Sequence, residues 1–529
     1  MTARRVASRA PVAWAALSIG LVALALLPPL QRAGAGRGAA LSTLSAQAPV
    51  LGNTVLLGLG QAAAVAVLAG VLALAQSHDF RGRRLQHLLL VAPLLLPPWA
   101  MALALVVLFG RAGLLPDPAG RSIYGADGLL LAGSLQMLPL GYLGMLVGRR
   151  GVDQRAIDQA RVLGVPGPVA RRRFAWPRLA EATVAVGVMV FVEAITDLAN
   201  PLVLGGGFEV LASRVHLAVA TEYDLAGAAA LAVGLALPTL LLSVPALRSS
   251  VRASHLHVLR SPAPAQRTRP EGTVWLAVAV AWVVAGVNTA LLATVVLGSL
   301  GLGSGDSPGI QYLGAAVQGR GREALGHSLA LALLVLPPLA VTAVGLALVA
   351  RRSGACGQVV RASLWLLGTL PGVLVGVSLL LVVNQVGSGR AASQAFGWMT
   401  AVAIGLVHLL RTLPSAVEQL LAVLDQQPRG VEETARLLEP RRGRRFVAHR
   451  WPLLAPVMGQ VLVTSFLRTL TAVSSVVFLT NSHVALSSVR ALSQIDVGHV
   501  AGSCATAVWL SALGLLVVAA CRPVRPTGE

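Results

Sequence analysis

Three polar side chains near the end of an apolar segment could handle charge inside a membrane. Glu193, Asp197 and Asn200 are spaced at i, i+4 and i+7, which would place them on one face of a continuous helix. Acidic residues in such segments are costly and usually face a cavity or a charged partner. Arg468 occupies the position that corresponds to Glu193 in an internal repeat of the chain. We predict that Glu193 and Arg468 approach each other across a passage and form a gate or a charge-paired constriction.

Local alternatives remain open for these residues. Glu193 and Arg468 could each pair within its own helix bundle. Asp197 could cap a helix or pair within the bundle instead of attracting a cation in transit. The three cysteines and ten histidines show no metal-ligand or nucleophile spacing. We therefore predict no resident metal, no cofactor and no catalytic residue.

The composition predicts an all-α membrane protein. The chain has 529 residues, of which 55% are hydrophobic and 12% are charged. Apolar runs of about 20 residues, the length needed to cross a bilayer as a helix, recur along the whole chain. They predict about twelve transmembrane helices, including single spans at 88–109, 178–204 and 361–383.

The arginine distribution indicates the topology. The net charge is +21, and all 42 basic residues are arginine. Most of them lie in alternate loops, which follows the positive-inside bias and predicts that both termini are cytoplasmic. The first apolar segment is interpreted as a retained helix because it is long and further spans follow it. The charge is accounted for by topology, so we predict no nucleic-acid partner.

The two halves of the chain are repeats. Leu96-Pro97 matches Leu370-Pro371, and Trp176-Pro177 matches Trp451-Pro452, with almost the same spacing between the two members of each match. We predict two parallel six-helix halves related by an axis along the membrane normal. The predicted domains are residues 1–250, a cytoplasmic linker at 251–272, and residues 273–529.

A polar segment occurs once in each half, near 153–174 and near 431–447. Each copy has the pattern of a helix, a turn and a short basic helix. In the first copy Ile157, Ala160 and Leu163 form an apolar face that needs something to cover it. We predict that each segment is a docking helix for a partner.

These segments resemble the cytoplasmic signature of ABC importer permeases, in which E-A-A-x-x-L-G precedes a basic stretch and a span that begins with Leu-Pro or Trp-Pro. The chain resembles fused two-half permeases of the ferric-iron type over nearly its whole length, notably in residues 80–98, 191–216 and 466–489. The positions that correspond to the signature are Asp158, Gln159, Ala160, Gly164, Glu433, Thr434, Ala435 and Glu439. Glu439 replaces the second glycine, so we expect the second turn to differ in shape.

The resemblance implies the type I importer fold and separate subunits for ATP hydrolysis and substrate binding. It implies coupling helices that dock on ATP-hydrolysing subunits, expected as a homodimer, and a periplasmic or lipid-anchored substrate-binding protein. The expected location is a bacterial plasma (inner) membrane, surrounded by lipid. The chain shows no P-loop, so ATP hydrolysis is expected in a separate subunit.

Ferric iron is the expected cargo. Related permeases carry 2-aminoethylphosphonate, thiamine, polyamines or sulfate, and these remain alternatives. An ion-coupled secondary transporter with twelve spans shares the helix number and the parallel repeat, but it does not explain the duplicated cytoplasmic segment. A membrane-embedded enzyme is the third class, and no catalytic constellation supports it.

Overall fold

The spans form a bundle of helices. The computed structural model describes residues 2–35, 37–115, 122–257, 270, 272, 274–352, 354–386, 392–427, 430, 434–435, 437, 439, 441–481 and 483–521. Within these residues every regular element is helical. Ten helices are long and apolar enough to cross a bilayer, and two bent helix pairs raise the number to twelve. The predicted all-α fold with about twelve membrane helices is confirmed.

The helices of the first half are α1 (Thr2–Ala35), α2 (Arg37–Ala46), α3 (Ala48–Gln76), α4 (Arg83–Val91), α5 (Ala100–Phe109), α6 (Ala126–Arg150), α7 (Gln154–Val162), α8 (Gly167–Phe174), α9 (Trp176–Thr196), α10 (Ala199–Leu204), α11 (Leu211–Ala220) and α12 (Leu225–His257). A 3-10 turn, Ala92–Leu95, follows α4.

The helices of the second half are α13 (Val274–Gly298), α14 (Gln311–Ala315), α15 (Arg320–Ala350), α16 (Ala355–Thr369), α17 (Gly372–Val386), α18 (Ala392–Asp425), α19 (Arg442–Arg445), α20 (Trp451–Thr471), α21 (Ser487–Asp496) and α22 (Val500–Ala520). A π-helical turn, Phe446–Arg450, joins α19 to α20.

One span in each half is broken at a Leu-Pro step. The two parts of the first broken span meet at 100°, and α16 meets α17 at 99°. Leu96 and Leu370 are extended, with ψ angles of 148° and 135°. Proline disfavours the helical conformation in the residue before it, which accounts for both breaks. The predictions of single spans at 88–109 and 361–383 were therefore wrong about continuity.

The same three spans form the centre of each half. In the first half α3, α6 and α9 pack on one another, and in the second half α15, α18 and α20 do so. The helices α9 and α20 both end at an extended residue, Asp197 and Ala472, and these two residues are equivalent positions of the repeat. The repeated sequence therefore folds into repeated architecture.

The first span of each half packs against the other half. Helix α1 contacts α15, α16 and α17, and α13 contacts α3, α4 and α5. The Ser378 hydroxyl of α17 donates to the Leu24 carbonyl oxygen of α1 at 2.6 Å. Reciprocally, the Gln86 amide of α4 donates to the Val278 carbonyl oxygen of α13 at 3.2 Å. The two halves therefore hold each other through exchanged helices, which the sequence pattern did not reveal.

Equivalent hydroxyl groups secure a short helix in each half. The Thr54 hydroxyl accepts the backbone N–H of Leu211 at 2.8 Å, at the start of α11. The Ser328 hydroxyl accepts the backbone N–H of Ser487 at 2.9 Å, at the start of α21. The first N–H groups of a helix have no partner inside it, so each hydroxyl satisfies a donor that would otherwise be buried and unpaired.

The contact between Trp14 and Gly345 provides a test of the helix exchange. A Cβ added at Gly345 would overlap the Trp14 ring, whereas one added at Gly326 of the same helix α15 would meet nothing within 4 Å. We expect Gly345→Leu to lower the free energy of unfolding by about 1–3 kcal/mol because it forces α1 away from α15. Thermal melting of the purified chain in detergent measures this.

Gly326→Leu is the matched control for that variant. It makes the same change in the same helix, so helix propensity alone affects both variants equally. Equal melting temperatures for the two variants would contradict the packing of α1 on the second half.

Candidate coupling loops and intramembrane charges

The first polar segment folds into two short helices joined by a glycine turn. The Asp153 carboxylate accepts the backbone N–H of Ala156 at 3.2 Å and so caps α7. At the other end Gly164 has a φ of +84°. The N–H of Gly164 donates to the Arg161 carbonyl oxygen, and the N–H of Val165 donates to that of Ala160. This is a Schellman motif, which satisfies the last carbonyl groups of α7 and turns the chain into α8.

Part of the predicted docking face is covered by the chain itself. Ile157 and Ala160 are only 4% and 9% exposed because they pack against Ala170 of α8. The expectation that a partner must cover these two residues was therefore wrong. Val162 and Leu163 are instead 88% and 82% exposed. A shallow surface depression lies beside them and is lined by Arg155, Asp158, Gln159, Val162 and Leu163.

The second polar segment is built differently at its turn. The Thr434 hydroxyl donates to the Gly430 carbonyl oxygen at 2.9 Å, and Ala435 is buried. The N–H of Glu439 donates to the Ala435 carbonyl oxygen at 3.1 Å, and the Glu439 carboxylate accepts the N–H of Arg441. Glu439 does not adopt the left-handed conformation of Gly164. The expected difference in the second turn is therefore present.

Leu437 is the exposed apolar residue of the second segment. Its side chain is 85% exposed, which matches the exposure of Leu163 in the first segment. Glu433, which the motif also selects, lies outside the residues that the structure describes.

Asp197 and Asn200 belong to a helix break and not to one helical face with Glu193. Helix α9 ends at Thr196, and Pro201 explains why. Proline has no N–H to donate to the Asp197 carbonyl oxygen, and its ring would clash with that group in a continuous helix. The prediction of a single span at 178–204, with these three residues on one face, was wrong.

The Asp197 carboxylate is occupied by local donors. It accepts the backbone N–H of Ala199 at 3.0 Å and the side-chain amide of Asn200 at 2.6 Å. The Asn200 amide also donates to the Gln136 side-chain oxygen at 2.5 Å. Of the two roles left open by the sequence, this geometry supports helix capping for Asp197.

Glu193 and Arg468 lie near a third charge, Arg411. The Arg411 guanidinium of α18 interacts electrostatically with both of them. Glu193 and Arg468 themselves form no direct ion pair, although both are described. A helix rises about 1.5 Å per residue, so Glu193 and Arg468 each lie about 26 Å from the helix end that adjoins an arginine-rich loop. Arg411 lies about 21 Å from the end of α18 that adjoins such a loop. Three charged groups therefore meet at similar depth in the membrane.

Sequence reasoning missed Arg411, although a signal was present. It is an arginine inside an apolar span, and such residues usually serve a function or pair with a partner. Its guanidinium donates to the Leu370 carbonyl oxygen at 2.8 Å. That carbonyl belongs to the Leu-Pro break between α16 and α17, so Arg411 satisfies a group that the break leaves unpaired.

Part of the second half is similar to a known protein family. Residues 340–522 match the family described as binding-protein-dependent transport system inner membrane component. This stretch of the second half is similar to members of that family. The match contains α18, α20 and the second polar segment, and the recognition of a two-half importer permease is confirmed. The description of that family places its members in a transport system of the inner membrane.

Curated relatives extend the likeness of this permease over both halves. It is 23% identical over 432 residues to a ferric transport system permease protein of Actinobacillus pleuropneumoniae, covering 77% of this chain and 61% of that protein. It is 24% identical over 408 residues to a putative ferric transport system permease protein of Haemophilus influenzae, covering 74% and 63%. The chain therefore spans about three fifths of the length of these relatives.

A second transport class matches a shorter region of the permease. A thiamine transport system permease protein of Brucella abortus is 28% identical over 204 residues, which is 37% of each chain. The ferric relatives therefore cover about twice as much of the chain.

The glycine turn can be tested by substitution. We expect Gly164→Ala to destabilise the turn by about 1–2 kcal/mol because a Cβ disfavours the left-handed conformation. Local opening of α7 should then rise about 5- to 30-fold, which hydrogen exchange of the α7 amides measures. Gly151→Ala in the same loop is the control, since Gly151 has a φ of −75°. Equal exchange in the two variants would show that the turn does not depend on Gly164.

Proposed function

We propose that this permease is the transmembrane subunit of an ATP-driven importer. It would pass a solute from a periplasmic or extracellular binding protein to the cytoplasm. The observation that carries the proposal is the pair of polar loops, one in each half, that present Leu163 and Leu437 almost fully exposed. In the first loop Leu163 adjoins the exposed Val162 and a shallow depression, which together make an apolar patch for a protein partner to cover.

The partner in this proposal is a pair of ATP-binding-cassette subunits, expected to be identical. Closure of that pair on ATP would pull the two loops together, and the two halves would rock to open the passage outward. The coupling positions are those named from the motif, with Ala160 and Ala435 acting from within the loops and the exposed residues making contact. The two coupling loops differ in shape because Gly164 and Glu439 turn the chain in different ways.

The orientation follows from the arginine-rich loops. We propose that the coupling loops and both termini face the cytoplasm, as the positive-inside bias favours. Residues 1–250 and 273–529 then form the two permease halves, joined by a cytoplasmic linker at 251–272. The exchange of α1 and α13 between the halves supports a single cooperative unit.

Ferric iron is the proposed cargo. The support is that both ferric relatives align over about three quarters of the chain, whereas the thiamine relative aligns over 37% of it. The same class of importer carrying thiamine is the alternative that this comparison leaves.

Charged substitutions at the exposed leucines test the coupling role. We expect Leu163→Asp together with Leu437→Asp to reduce ATP-driven uptake at least tenfold. The reason is that buried apolar anchors contribute about 1.4 kcal/mol or more to an interface, which corresponds to a factor of ten in affinity. Co-purification of the ATPase and uptake of radiolabelled iron into proteoliposomes measure the effect.

The matched control for that double variant lies on the proposed outer side. Ile310 is 78% exposed and precedes α14, so Ile310→Asp makes a similar surface change away from the loops. The ATPase should remain bound to this variant. Retention of the ATPase and full uptake by the double leucine variant would refute the docking role.

A charge exchange tests the proposed gate. Glu193→Arg gathers three arginines at one depth, so we expect it to abolish uptake. Adding Arg468→Glu restores one opposite charge and should recover part of the uptake. Absence of any recovery in a correctly folded double variant would show that Glu193 and Arg468 do not act on each other across the passage.

A further inference from the structure

The charged residues inside the spans are distributed unequally between the halves. Arg411 and Arg468 belong to the second half, and the equivalent positions of the first half hold Gln136 and Glu193. At equivalent positions of the repeat, the second half therefore carries two positive charges, whereas the first half carries an amide and an acid. Duplication by itself would have produced like residues at these positions.

Arg411 has no ion-pair partner among the described residues. Among the described residues its hydrogen-bond acceptor is the Leu370 carbonyl oxygen, and its side chain lies against Gly372 beside the break. A guanidinium has five N–H donors, and a carbonyl oxygen does not neutralise its charge. The described carboxylates form no ion pair with Arg411. The Arg411 side chain is mostly buried but retains some exposure beside the break.

Arg468 is the second arginine at this depth. It is exposed near the end of α20, whereas its neighbours Thr469 and Leu470 are buried. A charged side chain at this depth faces a bundle interior or a water-filled cavity rather than lipid. Helix α20, which carries Arg468, packs on α18, which carries Arg411, so the two arginines belong to neighbouring helices.

The first half offers one acid to these two arginines. The Asp197 carboxylate already accepts hydrogen bonds from Ala199 and Asn200, which leaves Glu193 to face the guanidinium groups. Around the break the positive charges therefore outnumber the available negative one.

We propose that Arg411 and Arg468 form an anion-receiving wall of the passage. The cargo would then cross with oxygen anions exposed, either as a metal ion that keeps its anionic ligands or as a solute with an acidic group. A bare trivalent cation would be repelled by the two arginines. The inference rests on the proposed importer function and names the chemical class that this passage accepts.

Uptake by the complete complex in proteoliposomes tests the wall. The probes are ferric citrate, 2-aminoethylphosphonate and thiamine, the last being a cation without an acidic group. We expect one of the two anionic probes to be transported, and Arg411→Gln to reduce its uptake at least tenfold. Arg411→Lys should restore much of it, because the charge is kept. Whichever anionic probe is transported decides between a metal complex and a free solute.

A purely structural role of Arg411 predicts a different result. Arg468 makes no hydrogen bond with the described residues, so Arg468→Gln removes charge alone. A role of Arg411 confined to the Leu370 carbonyl oxygen would leave uptake by Arg468→Gln unchanged, whereas the wall predicts a loss. Arg361→Gln is the matched control, since Arg361 donates to the carbonyl oxygens of Arg352 and Gly357 near the opposite end of α16. Normal uptake of the anionic probe by Arg411→Gln, or transport of thiamine alone, would overturn the inference.

A binding readout separates this inference from the importer proposal. Ferric citrate or 2-aminoethylphosphonate should raise the melting temperature of the full chain in detergent, and Arg411→Gln with Arg468→Gln should remove that rise. If wild-type uptake does not require ATP but the anion still stabilises the chain, the importer proposal is wrong and the proposed anion-receiving role of Arg411 and Arg468 is retained. If uptake requires ATP and neither anion stabilises the chain, the anion-receiving role is wrong and the importer proposal is retained.

Discussion

Hydrocarbon offers no hydrogen-bond partner to a peptide group, so a helix that breaks inside a membrane must have its freed carbonyl groups satisfied by the protein. This chain breaks one span in each half at a Leu-Pro step and ends α9 and α20 at extended residues. Polar side chains are therefore needed at these places. Arg411 serves the break at Leu370, and Asp197 serves the start of α10. The polar residues of the bundle centre follow from where the backbone breaks.

Duplication supplies the scaffold, and departures from it supply the asymmetry. Thr54 and Ser328 perform the same capping task in the two halves, and the first spans are exchanged in the same way. Arg411 and Arg468 depart from Gln136 and Glu193 at equivalent positions. Gly164 and Glu439 depart from each other in the loops. Positions that bear on packing are thus alike in character, whereas the polar positions inside the spans and in the loops differ.

Much of the architecture could be predicted from the sequence because apolar length and arginine placement are set by the bilayer itself. The number of spans and the repeat were visible in that way. The difference between the two turns was visible because Glu439 stands where the first copy has Gly164. The breaks at Leu96 and Leu370 were missed because an apolar run does not report its backbone conformation. The exchange of α1 and α13 was missed because it depends on contacts between distant segments, such as Ser378 with Leu24. Arg411 was overlooked although it is an arginine inside an apolar span, because the acceptor it serves, the Leu370 carbonyl oxygen, belongs to a break that the apolar run conceals.

The central claim is that the two coupling loops move together when a separate ATPase binds ATP. Spin labels on cysteines at Val169 and Val447, which are exposed beside the loops and lie outside the proposed contact, would report the distance between the loops in a chain whose Cys356, Cys504 and Cys521 are replaced by serine. Pulsed electron–electron resonance on the complete complex should show a shorter distance with ATP than without nucleotide. An unchanged distance in a complex that hydrolyses ATP would contradict the account.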